Sequence, residues 1–600
     1  MLNKLATIKN ITTQLHWRRS GVRAGSAFHA LYRSLLLLLE MLPRSAFITT
    51  PIFYANAKPH LGHAYTLCMA DAWSRFSAMR HHPSLQAFPP RRVVLRPPPS
   101  QTNFLSTGVD EHGSKIARAA AAFGCSPKDL CDRVSLAFKD LCERLNISTG
   151  AFIRTTSEAH KRTVCEAWRY LERSGYLYWD TFAGWYSISD ETFYADWEVV
   201  DSPSLSGAKV AKVTHNEVNW VEEETCRFRL SAFKDQIHAW LDSGVLPDKS
   251  PEHAGLLALT HSSLDLLEDP SISRPRSRVS WSIPVPDRPD QTIYVWFDAL
   301  MNYLTAGKVS LNPAENNDAL WPPNCQFIGK DILRFHAILW PAILLALGLP
   351  LPKRIIPHAH ILVEGTKMSK SLGNVVSPVE VMEYFVAAFT AASSTPLSEA
   401  EVRAMATDCL RYCLVRSACL NEDTTFSLSL ATETVNTELV NWMGNLLSRI
   451  TSRKVVPTQT VPMLDLAEAQ AFMSDVVDAE FLNNLRCLPD TFDTLWWEHL
   501  QPHHSVDALM KVVRQTNAFV DRHQPWASAA ADDGTIKIVI GITLEALRLI
   551  GCLLTPLIPS LSDRLLLRLG IKPDALRCSH WHLNSNDQCF NRSLLPRIKT

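Results

Sequence analysis

Residues 49–63 read T-T-P-I-F-Y-A-N-A-K-P-H-L-G-H, and this stretch decides the fold. The run 45–50 predicts a short buried strand that ends at Pro51. A helix is predicted to begin at about Gly62, because the apolar residues that follow recur on one face at helical spacing. Strands alternate with helices along the first part of the chain, and long amphipathic helices dominate beyond Pro378. This order predicts a doubly wound α/β domain followed by an α-helical domain.

The junction of that first strand and helix carries two imidazoles, His60 and His63. At a helix N-terminus they lie at the positive end of the dipole and could donate hydrogen bonds to phosphate oxygens. Gly62 between them leaves room for a flat ring to approach the backbone. The alternative interpretation is two surface histidines that begin a helix.

A second segment, about 300 residues later, reads Lys367-Met368-Ser369-Lys370-Ser371. Two ammonium groups three residues apart on a loop rich in serine and glycine would form a mobile clamp for a polyanion. The alternative is a solvated basic loop, which is the usual interpretation of a K-x-x-K pattern. A complete match to one pentapeptide is much more specific than that pattern.

Composition excludes several classes of protein. The 600 residues are 46% hydrophobic and 20% charged, typical of a globular chain and unlike a disordered, collagen-like or disulfide-framework protein. Lys+Arg and Asp+Glu are both 60, so a nucleic-acid partner would need a local basic patch. The 14 cysteines include no C-x-x-C pair, which argues against a zinc knuckle and a thioredoxin-like motif.

The N-terminal segment predicts an organellar address. Residues 1–39 hold six basic side chains and no acidic one, the composition of a transit peptide. Its apolar run, 35–39, is far shorter than the roughly 20 residues that a membrane span needs. We therefore expect a mitochondrial transit peptide over 1–40, a mature protein in the matrix and no membrane association. A disordered leader and a secretory signal are the alternatives.

In this order on an α/β scaffold, H-L-G-H and K-M-S-K-S resemble the class I aminoacyl-tRNA synthetases. Further runs are similar to the methionyl-tRNA synthetases of organellar or bacterial-like type: D-E-H-G-S-K-I (110–116), S-D-E-T-F-Y (189–194), S-I-S-R-P-R-S-R-V-S-W (271–281), Y-V-W-F-D-A-L (294–300) and G-K-D-I-L-R-F-H (329–336). The resemblance covers roughly residues 45–570. It implies that methionine and ATP form methionyl-adenylate, which is then transferred to tRNA(Met) for mitochondrial protein synthesis. ATP and Mg²⁺ bound with it are the implied cofactors, and no zinc is expected.

The resemblance also implies roles for individual residues. His60, His63, Lys367 and Lys370 would be catalytic. The other ATP-binding residues would be Gly62, Lys330, Asp331, Met368, Ser369 and Ser371. The methionine side-chain pocket would comprise Ile52, Tyr54, Trp296, Tyr303 and His336, while Asp110 would hold the ammonium group with Arg274 as a charged partner. Asn445 and Arg449 would read an anticodon base and Trp526 would stack on one, as is usual for single-stranded RNA loops.

The domain organisation expected from this resemblance has six parts after the transit peptide. Two halves of a Rossmann catalytic domain, 41–175 and 256–345, flank a β-rich connective insertion over 176–255. The K-M-S-K-S loop and a linker follow over 346–380. A helical anticodon-binding domain occupies 381–575, and 576–600 is a C-terminal tail.

Three departures from the family pattern bear on activity. The segment 81–101 is rich in proline and arginine and replaces a loop and strand, and Val109 stands where the family has threonine. Residues 387–407 are interpreted as a second insertion. Each of the two segments, 81–101 and 387–407, is either a surface insertion or non-coding sequence that was translated into the gene product. Cys226 is the only cysteine in the connective insertion, so the insertion lacks zinc knuckles. The C-terminal donors Cys578, His580, His582 and Cys589 lack the usual spacing of a zinc site.

Three alternatives remain at this point. Another class I synthetase would need a larger editing domain or a zinc ligand set. A non-catalytic tRNA-binding paralogue would keep the fold, with adenylate formation disabled by the insertions. A nucleotidyltransferase with an H-x-G-H motif would not need the helical domain. We expect a monomer.

Overall fold

The computed structural model describes residues 46–80, 103–188, 192–202, 207–247, 254–311, 320–363, 365–368, 374–393, 396–420, 422–457, 472, 476–527, 534–571 and 594–598. The predicted transit peptide, 1–40, and the Pro- and Arg-rich segment 81–101 lie outside these ranges.

A parallel sheet of five strands, in the order β13-β12-β1-β2-β3, forms the catalytic part of the chain. Its first half comprises β1 (Phe47–Tyr54), α1 (Leu61–Met79), β2 (Phe104–Asp110), α2 (Ser114–Ala122), α3 (Pro127–Arg144), β3 (Thr149–Arg154) and α4 (Glu158–Arg173). Most side chains of β1 and β2 are buried, as expected of strands covered on both faces by helices. The sheet confirms the predicted doubly wound class.

Strand β1 does not end at Pro51, which corrects the sequence prediction. It continues to Tyr54, and its pairing with β2 shifts register between Thr49 and Ile52. Proline lacks an N–H for the ladder and is tolerated at such an irregularity. The extra residues bring Tyr54 opposite Asp110, the last residue of β2.

Strand β2 shows whether the segment 81–101 displaces the strand before Asp110. Phe104–Asp110 pairs in parallel with β1 on one side and β3 on the other. The strand that leads to Asp110 is therefore present, and Asp110 lies at its carboxyl end.

The inserted module is an antiparallel sheet of five strands in the order β5-β4-β8-β7-β6. Its strands are β4 (Leu177–Ser187), β5 (Thr192–Tyr194), β6 (Val199–Asp201), β7 (Lys209–Ala211) and β8 (Glu217–Phe228). The structure confirms that the module is β-rich. The composition does not show that the sheet ends at Phe228 and that two helices follow, α5 (Lys234–Trp240) and α6 (Ala254–Leu266).

The second half returns to the parallel sheet. It contains β9 (Ser273–Pro275), β10 (Pro284–Val285), β11 (Arg288–Ile293), α7 (Val295–Leu300), α8 (Asn302–Gly307), β12 (Cys325–Gly329), α9 (Trp340–Ala346) and β13 (Ile355–His358). A helical turn, Phe335–Leu339, leads into α9. Because β12 lies beside β1, residues that follow β1, β2 and β12 gather at one edge of the sheet, where doubly wound folds bind ligands.

A small sheet links this edge to the helical part. It consists of β14 (Ile361–Val363), β15 (Thr366–Lys367) and β16 (Thr424–Phe426), with β14 in the centre. Helices α10 (Pro378–Ala392) and α11 (Glu399–Arg416) lie between β15 and β16 in the chain. The segment 387–407, interpreted as an insertion, thus spans the end of α10 and the start of α11, with Phe389 and Met405 buried. Whether it is an insertion relative to the family stays a prediction.

The helical part comprises α12 (Leu428–Thr434), α13 (Asn445–Ile450), α14 (Val476–Asp493), α15 (Pro502–His523), α16 (Gly534–Leu554) and α17 (Pro559–Arg568). A helical segment, Val435–Gly444, connects α12 to α13. Near the C-terminus, the backbone N–H and carbonyl of Ile598 bond to the Asn436 amide at 2.9 Å. Among the described residues, no helix combines the length and apolar character needed to cross a bilayer.

Candidate active site

The first helix begins with a reciprocal pair of histidine caps. Nδ1 of His60 accepts from the backbone N–H of Gly62 at 3.1 Å, and Nδ1 of His63 accepts from the N–H of His60 at 3.0 Å. The two rings stack with their centroids 3.7 Å apart. Since both Nδ1 atoms accept, each neutral ring carries its hydrogen on Nε2. Both imidazoles can therefore donate from Nε2 at the positive end of α1.

The two motifs predicted to act together do meet. A Cβ placed on Gly62 would lie 3.7 Å from the terminal methyl of Met368. The backbone N–H of Leu61 also donates to the carbonyl of Val376, beyond the K-M-S-K-S run, at 3.0 Å. Lys367 is the last residue of β15. The structure does not describe its side chain, and Ser369, Lys370 and Ser371 lie outside the described ranges.

The predicted methionine pocket contains a buried Tyr–His pair. Nε2 of His336 lies 2.7 Å from the hydroxyl of Tyr303, and Nδ1 of His336 lies 3.0 Å from the carbonyl of Ile332. The carbonyl can only accept, so Nδ1 of His336 carries the hydrogen. Nε2 of the neutral ring therefore accepts a hydrogen bond from the Tyr303 hydroxyl. Burial lowers the pKa of His336 to about 4, despite the bond to Ile332, and burial raises the pKa of Tyr303. Both groups are neutral at pH 7, as suits contact with a thioether.

Trp296 borders a cavity of about 410 Å³ between the inserted sheet and the second half of the catalytic part. Its indole N–H donates to the carbonyl of Ser271 at 3.3 Å, and its ring lies 6.2 Å from that of Phe335. Ile52 and Tyr54 lie at the carboxyl end of β1, opposite Gly108 and Asp110 of β2. The sheet register therefore places the predicted ammonium ligand, Asp110, beside Tyr54.

Arg274 has a partner that sequence reasoning missed. Its Nη1 lies 3.0 Å from Oε1 of Glu223 on β8, and its guanidinium carbon lies 4.0 Å from the ring centre of Tyr294. Only 2% of the residue is exposed. Within the described part of the chain, its Nε and Nη2 are buried without a hydrogen-bond partner. Arg274 lines the same cavity as Trp296, so it joins the inserted module to the pocket.

Lys330 and Asp331 follow β12 directly, at the same edge as His60. Nζ of Lys330 lies 2.7 Å from Oδ1 of Asp423, and Oδ1 of Asp331 lies 3.3 Å from Nε2 of His360. No motif in the sequence singled out Asp423, which immediately precedes β16. Lys330 thus connects the sheet edge to the small sheet that carries Lys367.

The predicted anticodon residues come from one helix, α13, and from the turn that follows α15. Asn445 is exposed at the start of α13, and Arg449 lies one turn later. The Arg449 guanidinium carbon lies 4.6 Å from the ring centre of Trp526, and Nη2 lies 2.5 Å from Oδ1 of Asp521. The structure therefore brings Arg449 and Trp526 together, with Asp521 as a partner that the sequence did not indicate.

The residues that the structure describes form no cluster of metal ligands. No group of three or more His, Cys, Asp and Glu side chains there is arranged to hold an ion. The C-terminal donors Cys578, His580, His582 and Cys589 lie outside that part of the chain.

Known proteins resemble this chain along most of its length. The family model described as "tRNA synthetases class I (M)" matches residues 46–87, 94–390 and 396–451. The mitochondrial methionine–tRNA ligase of Xenopus laevis is 39% identical over 530 residues, covering 87% of this chain and 85% of that protein. That of Homo sapiens is 37% identical over 542 residues, with coverages of 88% and 84%. The structure of Mycobacterium tuberculosis methionyl-tRNA synthetase in complex with methionyl-adenylate aligns with a TM-score of 0.76 at 31% identity, covering 92% of this chain and all of that one.

Proposed function

The chain belongs to the methionyl-tRNA synthetases, a family of class I aminoacyl-tRNA synthetases, and we propose that it is a mitochondrial methionine–tRNA ligase. The observation that carries this proposal is the approach of Met368 to Gly62, which joins the K-M-S-K-S run to the H-L-G-H helix start. The names of the relatives support the reaction and the mitochondrial address.

In the first step, a methionine carboxylate oxygen attacks the α-phosphate of ATP, and pyrophosphate leaves. The Nε2–H groups of His60 and His63 stabilise charge that develops on the phosphate oxygens. Lys367 and Lys370 neutralise the departing pyrophosphate. The reaction needs no side-chain nucleophile, so positioning and charge stabilisation supply the catalysis.

Mg²⁺ would be bound together with ATP and would offset the negative charge of its phosphates, with ATP and water as most of its ligands. Carboxylates such as Asp331 at the end of β12 are of the type that could add one ligand.

Methionine binds with its ammonium group at Asp110 and its side chain among Ile52, Tyr54, Trp296, Tyr303 and His336. A neutral histidine and a tyrosine hydroxyl suit a polarizable thioether better than a charged group does. One methylene in such a pocket is worth only about 1–3 kcal/mol, so the enzyme would reject near-isosteres incompletely.

In the second step, a ribose hydroxyl at the 3′ end of tRNA(Met) attacks the activated carbonyl, and AMP leaves. Asn445 and Arg449 read an anticodon base edge while Trp526 stacks on a neighbouring base. The enzyme acts as a monomer in the mitochondrial matrix.

The test is methionine-dependent ATP–pyrophosphate exchange, measured on protein that begins near Met41. His63→Ala and Lys370→Ala should each lower the rate at least 100-fold, since each removes charge stabilisation in the transition state. Lys128→Ala, which removes an exposed lysine paired with Asp132, is the matched control and should keep the wild-type rate.

Folded wild-type protein without exchange would contradict the proposal and favour the non-catalytic paralogue. The same assay on protein with 81–101 shortened then separates two causes. Recovered exchange would show that this segment blocks an otherwise competent site, and continued absence would support the paralogue.

A further inference from the structure

A buried carboxylate, Asp298, joins two histidines from distant parts of the chain. Asp298 lies on α7, two residues after Trp296, and is fully buried. Its Oδ2 lies 2.7 Å from Nδ1 of His112, and its Oδ1 lies 2.8 Å from Nε2 of His160 on α4. Both oxygens of one carboxylate thus hold imidazole rings from the first half of the catalytic part.

The charge of Asp298 determines which of these atoms donate hydrogen bonds and which accept them. Burial acts to raise the pKa of Asp298, but the neighbouring His112 and His160 outweigh it and hold the pKa at about 2. The ionised carboxylate can only accept hydrogen bonds. His112 must therefore carry a hydrogen on Nδ1, and its ring orientation is set by Asp298.

His112 belongs to the loop that follows Asp110. Its backbone N–H makes a long hydrogen bond, 3.4 Å, to Oδ1 of Asp110. Trp281 holds the same loop from the other side: its indole N–H donates to the carbonyl of Glu111 at 2.6 Å, and its carbonyl accepts from the N–H of Gly113 at 2.8 Å. The position of the Asp110 carboxylate thus depends on how this loop is held.

We propose that Asp298 is a positioning residue for methionine activation, which fixes the Asp110 carboxylate relative to the pocket that contains Trp296. It acts through the His112 ring on one side and through its own helix, α7, on the other. The inference rests on the proposed function, in which Asp110 binds the substrate ammonium group.

Asp298→Asn tests this role with little change of shape. An amide presents one donor and one acceptor, so one of the two imidazole bonds must reverse or break. We expect the KM for methionine in the exchange assay to rise about 10- to 100-fold, as a small misplacement of a binding group can cost that much. The KM for ATP should stay within about twofold, since the proposal gives Asp298 no influence on the residues that bind ATP. Asp290→Asn, which alters an exposed aspartate paired with Arg288, is the matched control.

A ligand without the ammonium group separates positioning from a general loss of structure. 4-(Methylsulfanyl)butanoate, which is methionine without its amino group, should inhibit the wild type and Asp298→Asn equally. Equal weakening of methionine and this analogue would overturn the inference, because it would show that the whole pocket has changed. An unchanged KM for methionine would overturn it as well.

Two variants at His112 keep the test independent of Asp298. Asparagine offers an amide N–H at a position comparable to imidazole Nδ1, so His112→Asn should retain more methionine affinity than His112→Ala. Equal losses would overturn the mechanism through His112. Wild-type protein without methionine-dependent exchange would instead refute the proposed function, and this inference with it.

Discussion

Nζ of Lys330 lies 2.7 Å from Oδ1 of Asp423, and this contact spans 93 residues of sequence. Asp423 also accepts from the backbone N–H of His360 at 2.8 Å, just before β14. The pair therefore joins the edge of the parallel sheet that is proposed to bind ATP to the small sheet that carries Lys367.

Variants of this pair should distinguish nucleotide binding from structural support at Lys330. Both side chains are partly exposed, so loss of the ion pair in Asp423→Asn should cost at most about 1 kcal/mol, or about fivefold in exchange rate. Lys330→Met should lower the exchange rate more than about tenfold and raise the KM for ATP, because the family resemblance implies that Lys330 also contacts the nucleotide. Equal small effects of the two substitutions would indicate a structural role only.

Gly62→Ala should impair activation through His60. The new Cβ would lie 3.0 Å from Cε1 of His60, so the ring must move by a few tenths of an ångström. We expect the exchange rate to fall about tenfold. Gly255→Ala is the matched control, since among the described residues no atom lies within 4 Å of a Cβ at that position. A wild-type rate for Gly62→Ala would show that the exact place of His60 is unimportant.

The contact between the catalytic and helical parts depends on a buried ion pair. Nη2 of Arg411 on α11 lies 2.7 Å from Oδ2 of Asp71 on α1, and both side chains are only 1% exposed. Arg411 also donates to the carbonyls of Leu557 and Leu145, each at 3.0 Å.

Arg411→Met should lower the free energy of unfolding by about 3–5 kcal/mol, because the buried carboxylate of Asp71 then loses the positive charge of Arg411. Adding Asp71→Asn to that variant should restore part of the loss, as urea unfolding would show. Lys128→Ala, which breaks an exposed pair, should cost at most about 1 kcal/mol. Simple additivity of the two buried substitutions would contradict their coupling.

Trp526→Ala should separate the two steps of the reaction. The substitution removes the proposed stacking surface and the support that the ring gives to Arg449, 4.6 Å away. A lost base stack costs about 1–3 kcal/mol, so the kcat/KM for tRNA(Met) should fall about 5- to 150-fold. Exchange without tRNA should be unchanged and serves as the internal control. A parallel loss in both assays would point to misfolding rather than to anticodon recognition.

Stability should fall in mild acid because two histidines are buried in neutral form. Burial lowers the pKa of His336 and of His358 to about 4, from an ordinary value of 6.5. Between those pH values the unfolded chain binds more protons, so stability is full above about 6.5 and is lost as the pH falls towards 4. His358→Gln, which cannot titrate, should show a smaller fall in unfolding midpoint between pH 7 and 5.

Asp408 contributes in the opposite direction. Burial is the main cause that raises the pKa of this carboxyl group to about 7, so its protonated form is favoured in the fold. Its contribution to stability is lost as the pH rises from about 4 to 7. Because wild type and His358→Gln share Asp408, it cancels in their comparison. Identical pH slopes for the two proteins would contradict a neutral buried His358.

The periodicity of the sequence predicted much of the architecture. The helix after His60 was expected from about Gly62 and begins at Leu61, and long helices such as Pro502–His523 dominate beyond Pro378, as the amphipathic spacing predicted. Local patterns suffice there because helix periodicity is set by neighbours three and four residues away. The end of β1 was predicted wrongly, since a proline can remain in a strand where the pairing register shifts.

The family and its two motifs can be identified without the structure, because H-L-G-H and K-M-S-K-S are local and specific. The partners that hold the site residues, in contrast, are known only from the fold: Asp423 at Lys330, Glu223 at Arg274, Asp298 at His112 and Asp521 at Arg449. All four are acidic residues outside H-L-G-H and K-M-S-K-S, although Asp298 belongs to the run 294–300, and they lie 51 to 186 residues away in the chain from the groups they hold. A carboxylate that far away leaves no periodic signal, because its distance to a cation is set by sheet order and helix packing rather than by spacing along the chain.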